Sequence, residues 1–124
     1  MYKHRSRKQI GARGEQIACD WLVQQGYRLL ARNWRCREGE LDIIAQEGDT
    51  LLFLEVRTRT TSNRFGTAEE SIDWRKQRQV RQLATRFLST TPQAFYRFRF
   101  DVIVIYLDRS TDEVQQLRHI RNAF

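Results

Sequence analysis

The feature that most constrains the fold is the stretch 39–59, which reads as two β-strands joined by a short turn. In its first part, residues 39–45, apolar and polar side chains alternate with a period close to two, as in a strand. Residues 51–56 are almost wholly apolar, which is typical of a buried strand. Between them, residues 46–49 are polar and contain a glycine, as a hairpin turn needs. The sequence therefore predicts a buried hairpin at the centre of the fold.

Two carboxylates lie inside this predicted hairpin, Asp42 in the first strand and Glu55 in the second. An ionised carboxylate is costly among core residues unless something pairs with it. If the strands pair about the turn at 47–48, Asp42 lies across from Glu55 or one residue away, close enough for both to bind one cation. Arg57 follows Glu55 by two residues and shares its strand face. The alternative is a structural ion pair of Glu55 with Arg57 or Arg59.

The charge balance predicts an anionic partner. The chain of 124 residues has 22 basic and 15 acidic side chains, a net charge of +7 and a pI near 10.1. Most of the basic residues are arginines, whose planar fork suits phosphate, so nucleic acid is the expected partner. A generically basic soluble protein is the alternative, since net charge alone does not select a partner.

Length and composition predict one domain in the bacterial cytoplasm. Residues 1–8 form a basic N-terminal arm, and residues 9–124 are long enough for a single hydrophobic core. No stretch approaches the roughly 20 apolar residues of a membrane span, and the arm has no apolar signal-peptide segment. The two cysteines and two histidines have no metal-ligand spacing, which argues against a disulfide framework and a zinc site.

The first helix is predicted over residues 9–25, where apolar residues recur with helical spacing and Gly26 ends the pattern. Glu15 falls on or beside its buried face, because Ala18 and Leu22 stand three and seven residues further on. A carboxylate in this half of the helix could serve the acidic pair of the hairpin. It could equally be an ordinary side chain that favours the helix dipole.

The second helix is predicted from Thr67, the N-cap of a capping box with Glu70, to Leu88. Its outer face carries a basic stripe, made of Arg75, Arg78, Arg81 and Arg86. Such a stripe suits phosphate contacts, although a solvated cationic face is the default for a helix. Lys76 instead shares the inner stripe, and we expect it to reach the acidic cluster.

Three further strands are predicted over residues 27–34, 96–107 and 113–120. The order of helices and strands predicts an α/β fold with a mixed central β-sheet flanked by helices. The loop 58–66 between hairpin and second helix contains Arg59 and Arg64 among hydroxyl-bearing residues. These side chains suit contacts to backbone phosphates, and they are also ordinary loop chemistry.

Several motifs spread over nearly the whole chain carry a resemblance to a known family. They lie at Gly11–Glu15, Asn33–Arg35, Gly39–Ala45, Phe53–Arg59, Phe65–Gly66, Lys76, Arg99–Val102 and Asn122–Phe124. On these motifs the chain resembles the YraN-type uncharacterised bacterial family of the PD-(D/E)xK nuclease superfamily, which is similar to archaeal Holliday junction resolvases. The paired hairpin motifs at this spacing are the most specific of them.

The resemblance implies a restriction-endonuclease-like core with Glu15, Asp42 and Glu55 as acids that bind Mg²⁺ or Mn²⁺. It also places Arg57 at the position of the superfamily's lysine. A guanidinium keeps its proton near neutral pH and cannot act as a base, but it can stabilise developing charge. Lys76 is a candidate substitute for the missing lysine.

Three functions follow from these observations. The first is a metal-dependent, structure-selective endonuclease acting on branched or single-stranded DNA, which as a homodimer would cut two strands at matched positions. The second is a nucleic-acid-binding module that keeps the site but cleaves slowly or not at all. The third is a protein-interaction scaffold using the tryptophans as anchors. The residues expected to contact nucleic acid are Arg13, Arg59, Arg64, Arg75, Arg78 and Arg81.

Overall fold

The computed structural model describes residues 6–61, 72–91 and 97–124, which form a mixed five-stranded sheet flanked by two helices. The elements in chain order are α1 (Arg7–Gln24), β1 (Arg28–Cys36), β2 (Gly39–Glu47), β3 (Thr50–Thr61), α2 (Trp74–Thr90), β4 (Arg97–Asp108) and β5 (Val114–Ile120). Strands are neighbours in sequence order, and each pair is antiparallel except β3 and β4. This arrangement confirms the predicted α/β fold and is compatible with a restriction-endonuclease-like core.

The two helices cover opposite faces of the sheet. Under α1 lies a cluster of small and branched residues that includes Ala18, Leu22, Ile43, Leu54 and Ile105. Under α2 lies an aromatic cluster in which the Phe53 ring packs edge-on against Phe87 and stacks on Phe100. Strand β3, at the centre of the sheet, is therefore covered on both faces, and this explains its unbroken apolar run. Among the described residues, neither helix has the length and apolar composition needed to cross a membrane.

The central hairpin forms as predicted, but with a tighter turn. Gln46 and Glu47 continue strand β2, and the turn is made by Gly48 and Asp49 alone. Gly48 has a φ of 61°, a left-handed conformation that glycine adopts without steric cost. The resulting register pairs Ile43 with Leu54, so that Asp42 and Glu55 are the next residues along their strands.

The boundaries of the helices differ from the prediction because side-chain caps set them. Ser6 and Gln9 form a capping box that starts α1 at Arg7, so two residues of the predicted basic arm are helical. Asp73 has extended backbone and accepts a hydrogen bond from the Lys76 N–H, so α2 starts at Trp74. The prediction of one helix continuous through residues 72 and 73 is therefore wrong. The predicted capping box at Thr67 lies outside the described residues, as do residues 1–5 of the arm.

Gly14 allows α1 to lie directly against β3. A Cβ built on Gly14 would overlap the Thr58 hydroxyl and lie 2.9 Å from the Thr58 Cβ, whereas one built on Gly11 meets nothing within 4 Å. The contact fixes the height of α1 above the end of β3 that lies beyond the hairpin. It therefore positions Glu15, the residue that follows Gly14.

The matched substitutions Gly14→Ala and Gly11→Ala should change stability in opposite directions. Gly14→Ala forces helix and strand apart, and overpacking of this kind costs about 1–3 kcal/mol. Gly11→Ala meets open space and should gain up to about 1 kcal/mol of helix propensity. Urea unfolding followed by circular dichroism measures both. Equal effects of the two substitutions would show that the Gly14–Thr58 contact is not a constraint.

Candidate acidic centre where two strands part

The regular alternation of side chains between the two faces of the sheet is interrupted in β2 immediately before the acidic centre. Trp34 pairs with Leu41, and both pack into the cluster under α2. Ile43 packs under α1 instead, although residues two apart in a regular strand share a face. The neighbouring strand bends at the same level, where Asn33 has a left-handed φ of 50°. Asp42 lies at this break, between the two faces of the sheet.

Asp42 also ends the ladder between β2 and β3. The paired residues stop at Ile43 and Leu54, and Oδ2 of Asp42 then accepts a hydrogen bond of 2.9 Å from the Val56 N–H. The carboxylate thus takes the place of a main-chain acceptor, and the two strands part beyond it. Burial raises the pKa of Asp42, an effect that the Val56 N–H and the charges of Lys76 and Arg57 only partly oppose.

Glu55 is the most unusual carboxylate of the described chain. Only 4% of it is exposed, its Oε1 lies 3.1 Å from Nζ of Lys76, and its buried Oε2 has no hydrogen-bond partner among the described residues. Burial, followed by the charge of Asp42, raises the pKa of Glu55 from 4.5 to about 7, against the opposing effect of Lys76. The predicted approach of Lys76 to the acidic cluster is confirmed.

Glu15 approaches the same centre from α1. Burial raises its pKa, the charge of Asp42 adds to this, and a hydrogen bond with the Asn33 side chain lowers it. The side-chain amide of Asn33, the residue with the left-handed backbone, thus forms a hydrogen bond with the Glu15 carboxylate. Glu15 also lines a cleft of about 530 Å³ between α1 and the end of β3, together with Gly11, Thr58 and Arg59. Of the acids described above, Glu15 is therefore the one that faces this cleft.

One further acid near the centre, Glu40, was not among the residues predicted from the sequence. Its negative charge raises the pKa of both Glu15 and Asp42, and its own Oε2 lies 2.7 Å from Nε of the exposed Arg35. Glu40 stands two residues before Asp42, and period-two alternation was the signal that could have brought it into the set. It adds negative potential at the rim of the centre.

The donors fit a hard divalent cation that keeps part of its water shell. Among the described residues, no three histidine, cysteine or acidic side chains form a ready-made cation cage. Asp42 and Glu55 nevertheless provide two neighbouring carboxylates, and one buried oxygen of Glu55 has no partner within the described part of the chain. Mg²⁺ is commonly held by one or two carboxylates, with waters and phosphate oxygens as its other ligands. Glu15 can add an outer contact from α1.

Arg57 adds a positive charge on the side of the sheet that carries Glu55. The two residues are separated by one position in β3 and are paired with Val102 and Val104 of β4, which belong to a third apolar cluster with Ile72 and Tyr106. The guanidinium charge partly opposes the rise in the pKa of Asp42 that burial causes. At this place Arg57 can attract a phosphate and stabilise charge on it, although it cannot remove a proton from water.

The arginines expected to contact nucleic acid do not share one surface. Arg75 and Arg78 are exposed on α2, and the Arg81 guanidinium lies 4.7 Å from the centre of the Phe100 ring. Arg59 is in the cleft beside Glu15. Arg13 is occupied within the chain, where it donates hydrogen bonds of 2.7 Å and 3.2 Å to the Asp112 carbonyl. Arg64 lies outside the described residues.

Comparison with known proteins gives a consistent assignment. A family model described as "Uncharacterised protein family UPF0102" matches residues 14–105, which include the acidic centre. The chain is 42% identical over 120 residues to a UPF0102 protein of Frankia casuarinae, covering 97% of this chain and 99% of that protein. It is 45% identical over 118 residues to a UPF0102 protein of Mycolicibacterium vanbaalenii, covering 95% of each. A UPF0102 protein of Desulforamulus reducens is 45% identical over 119 residues, covering 94% of this chain and 96% of that protein. The chain therefore belongs to the UPF0102 family, the YraN-type family that its motifs resemble.

Proposed function

We propose that this protein binds DNA and hydrolyses phosphodiester bonds in branched DNA with Mg²⁺ or Mn²⁺ held at the acidic centre. The observation that carries the proposal is Glu55, a buried carboxylate with a raised pKa, with Asp42 beside it and with one oxygen that has no partner among the described residues. A protein keeps so costly a group where function needs it. The resemblance of the hairpin motifs to those of the PD-(D/E)xK nuclease superfamily supports the same chemistry.

In this proposal each side chain of the centre has a separate task. Asp42 and Glu55 hold the cation, and Lys76 orients Glu55 through its contact with Oε1. When bound, the cation supplies Lewis-acid chemistry, polarising phosphoryl oxygens and lowering the pKa of water. Arg57 draws the scissile phosphate toward the centre and offsets the charge that builds up on it. Glu15 adds a further negative charge to the centre on the α1 side.

A second candidate is a DNA-binding module with little or no cleavage activity. The observation that favours it is Arg57, which stands where the resemblance implies a lysine and which cannot act as a base. Under this proposal the protein keeps the metal pocket and the basic surface. Lys76 is then a structural partner of Glu55, because its ammonium group is held in that contact.

Cleavage of a labelled four-way junction and of single-stranded DNA, each with Mg²⁺ or Mn²⁺, tests the first candidate. We expect nicking by the wild type, a loss of about a hundred-fold or more in Asp42→Ala and Glu55→Ala, and an increase in Arg57→Lys. Asp20→Ala is the matched control, because Asp20 is exposed on α1 and bonded only to Gln16 among its described contacts. Its nicking rate should equal that of the wild type.

The same experiment separates the two candidates. If the wild type does not nick DNA but binds it with a steep dependence on salt, the binding module is correct. Activity gained by Arg57→Lys would then identify a pocket that has lost its lysine. Matched nicks in both strands of a junction would require a homodimer, because one centre acts on one strand at a time. Unchanged nicking in both alanine variants would contradict the proposed centre.

A further inference from the structure

The most exposed large apolar side chain of the described residues is the first residue of α2. Trp74 is 65% exposed, more than Val23 or Phe98. The other two tryptophans of the chain are partly buried and pack against the two core clusters. An indole left in water beside a polar surface offers a wide, rigid contact face at low entropic cost.

Trp74 forms one end of a shallow hollow of about 440 Å³ along the outer side of α2. The hollow is lined by Trp74, Gln77, Arg78, Arg81, Gln82 and Thr85. These positions recur with helical spacing, so they form one stripe. Residues 74–90 contain no acidic side chain, so the stripe is cationic and polar with an aromatic ring at its head.

The guanidinium of Arg81 is held in place within this stripe. It stacks over the Phe100 ring at 4.7 Å and lies 5.7 Å from the centre of the Phe124 ring. These two rings are stacked on each other at 5.2 Å, so they form a firm base for the cation. A cation ordered in advance loses less conformational entropy when it binds an anion. Arg81 is nevertheless exposed and can be reached from the hollow.

We propose that this hollow binds an unpaired nucleotide of single-stranded nucleic acid, with the base stacked on Trp74 and the adjacent phosphates held by Arg78 and Arg81. The proposal rests on the proposed DNA binding and names the form of nucleic acid that is bound. An aromatic face next to fixed cations matches an unpaired base and its phosphates, since every base has a π-face that stacks on aromatic rings. In a duplex those faces are already covered by neighbouring bases, so the ring has no partner there.

The hollow and the acidic centre lie on different sides of the same end of α2. Trp74 lines the hollow on the outer side, whereas the ammonium group of Lys76, two residues further on, contacts Glu55 at 3.1 Å on the inner side. The hollow is therefore a separate binding surface, and its preference for unpaired nucleotides comes from the ring and the cations that line it.

Binding measured without divalent metal tests this proposal independently of cleavage. Fluorescence anisotropy in EDTA would compare a labelled oligo(dT) strand with a blunt duplex of the same length, for the wild type, Trp74→Ala and Trp74→Phe. We expect Trp74→Ala to weaken oligo(dT) binding about ten-fold, Trp74→Phe to keep most of it, and duplex affinity to change by less than about two-fold. Phe98→Ala, which removes another exposed ring, is the matched control and should bind as the wild type does.

Three results would overturn the proposal. Equal losses of oligo(dT) and duplex binding in Trp74→Ala would make the ring part of a general surface. Unchanged oligo(dT) binding in Trp74→Ala would remove the ring from the site. A change from dimer to monomer in Trp74→Ala on sedimentation, without altered DNA affinity, would assign the ring to a contact between copies of the chain. Because no metal is present, a protein that never cleaves DNA still gives a result in each case.

Discussion

Replacing Glu55 with glutamine should stabilise the metal-free protein at neutral and alkaline pH while it abolishes nicking. The Glu55 carboxyl has a pKa of about 7 in the folded protein against 4.5 for the free group, because burial disfavours its charged form. Folding therefore favours the protonated carboxyl. The contribution of the protonated Glu55 carboxyl to the free energy of unfolding is fully present below pH 4.5, and it is lost as the pH rises through 7. Glutamine has the same shape and no such loss.

Urea unfolding at pH 5 and pH 8 in the presence of a chelator measures this effect. Between these values the wild type should lose about 2 kcal/mol of unfolding free energy relative to Glu55→Gln. Asp20→Asn, at an exposed position on α1, is the matched control and should follow the wild type. Parallel pH profiles for the wild type and Glu55→Gln would contradict a raised pKa at Glu55.

Replacing Asp101 with asparagine should have the opposite effect and destabilise the protein by about 3 kcal/mol at pH 7. Asp101 is completely buried, and its oxygens lie 2.9 Å from Nε of Arg99, 2.8 Å from Nε2 of His119 and 3.0 Å from the Asn122 N–H. Burial alone would raise the pKa of Asp101, but these hydrogen bonds hold it below its usual value. Asparagine would leave the Arg99 charge poorly compensated.

The pH dependence again provides the check. Because the pKa of Asp101 is lowered on folding, its contribution to stability is present above 3.8 and is lost as the pH falls through the folded value. The difference in unfolding free energy between the wild type and Asp101→Asn should therefore shrink when the pH is lowered from 7 to 3. A difference that stays constant would mean that packing, and not charge, is responsible.

Glu55 and Asp101 are the two buried charged side chains of the described residues, and their surroundings explain why they should respond oppositely. Both oxygens of Asp101 have hydrogen-bond partners. Among these partners are Arg99 of β4 and His119 of β5. At Glu55, one oxygen has the Lys76 ammonium group, and the other has no hydrogen-bond partner among the described residues. A fully hydrogen-bonded buried carboxylate contributes to stability, whereas a partly bonded one reduces it. The second kind is what a binding site for a cation requires, because its free oxygen must be available.

Much of this centre could be predicted from periodicity alone. The alternation in residues 39–45 and the apolar run at 51–56 specify the hairpin and its register, and the register brings Asp42 next to Glu55. The helical phase of Lys76 between Ile72 and Val80 was enough to predict its inward direction, although the helix starts later than predicted. Phase along a helix does not depend on where the helix begins.

Features that depend on distant or irregular contacts could not be predicted. The left-handed backbone at Asn33 interrupts the regular strand that the prediction assumed, and no residue pattern around it indicates this. The bond from Arg13 to the Asp112 carbonyl joins residues 99 positions apart, which no local pattern reports. Asp73 competes with Thr67 as a helix cap, and residue preference alone does not decide between them.

The parting of β2 and β3 has a further consequence for association between molecules. Beyond Leu54, the side of β3 that pairs with β2 has no neighbouring strand among the described residues, although β3 continues to Thr61. An open sheet edge can recruit a strand from another chain and so begin aggregation. Asp42 accepts the hydrogen bond of the Val56 N–H, so this main-chain donor of the edge is already paired. The carboxylate that ends the strand pairing thus also removes one of the groups through which another copy could add a strand to this edge.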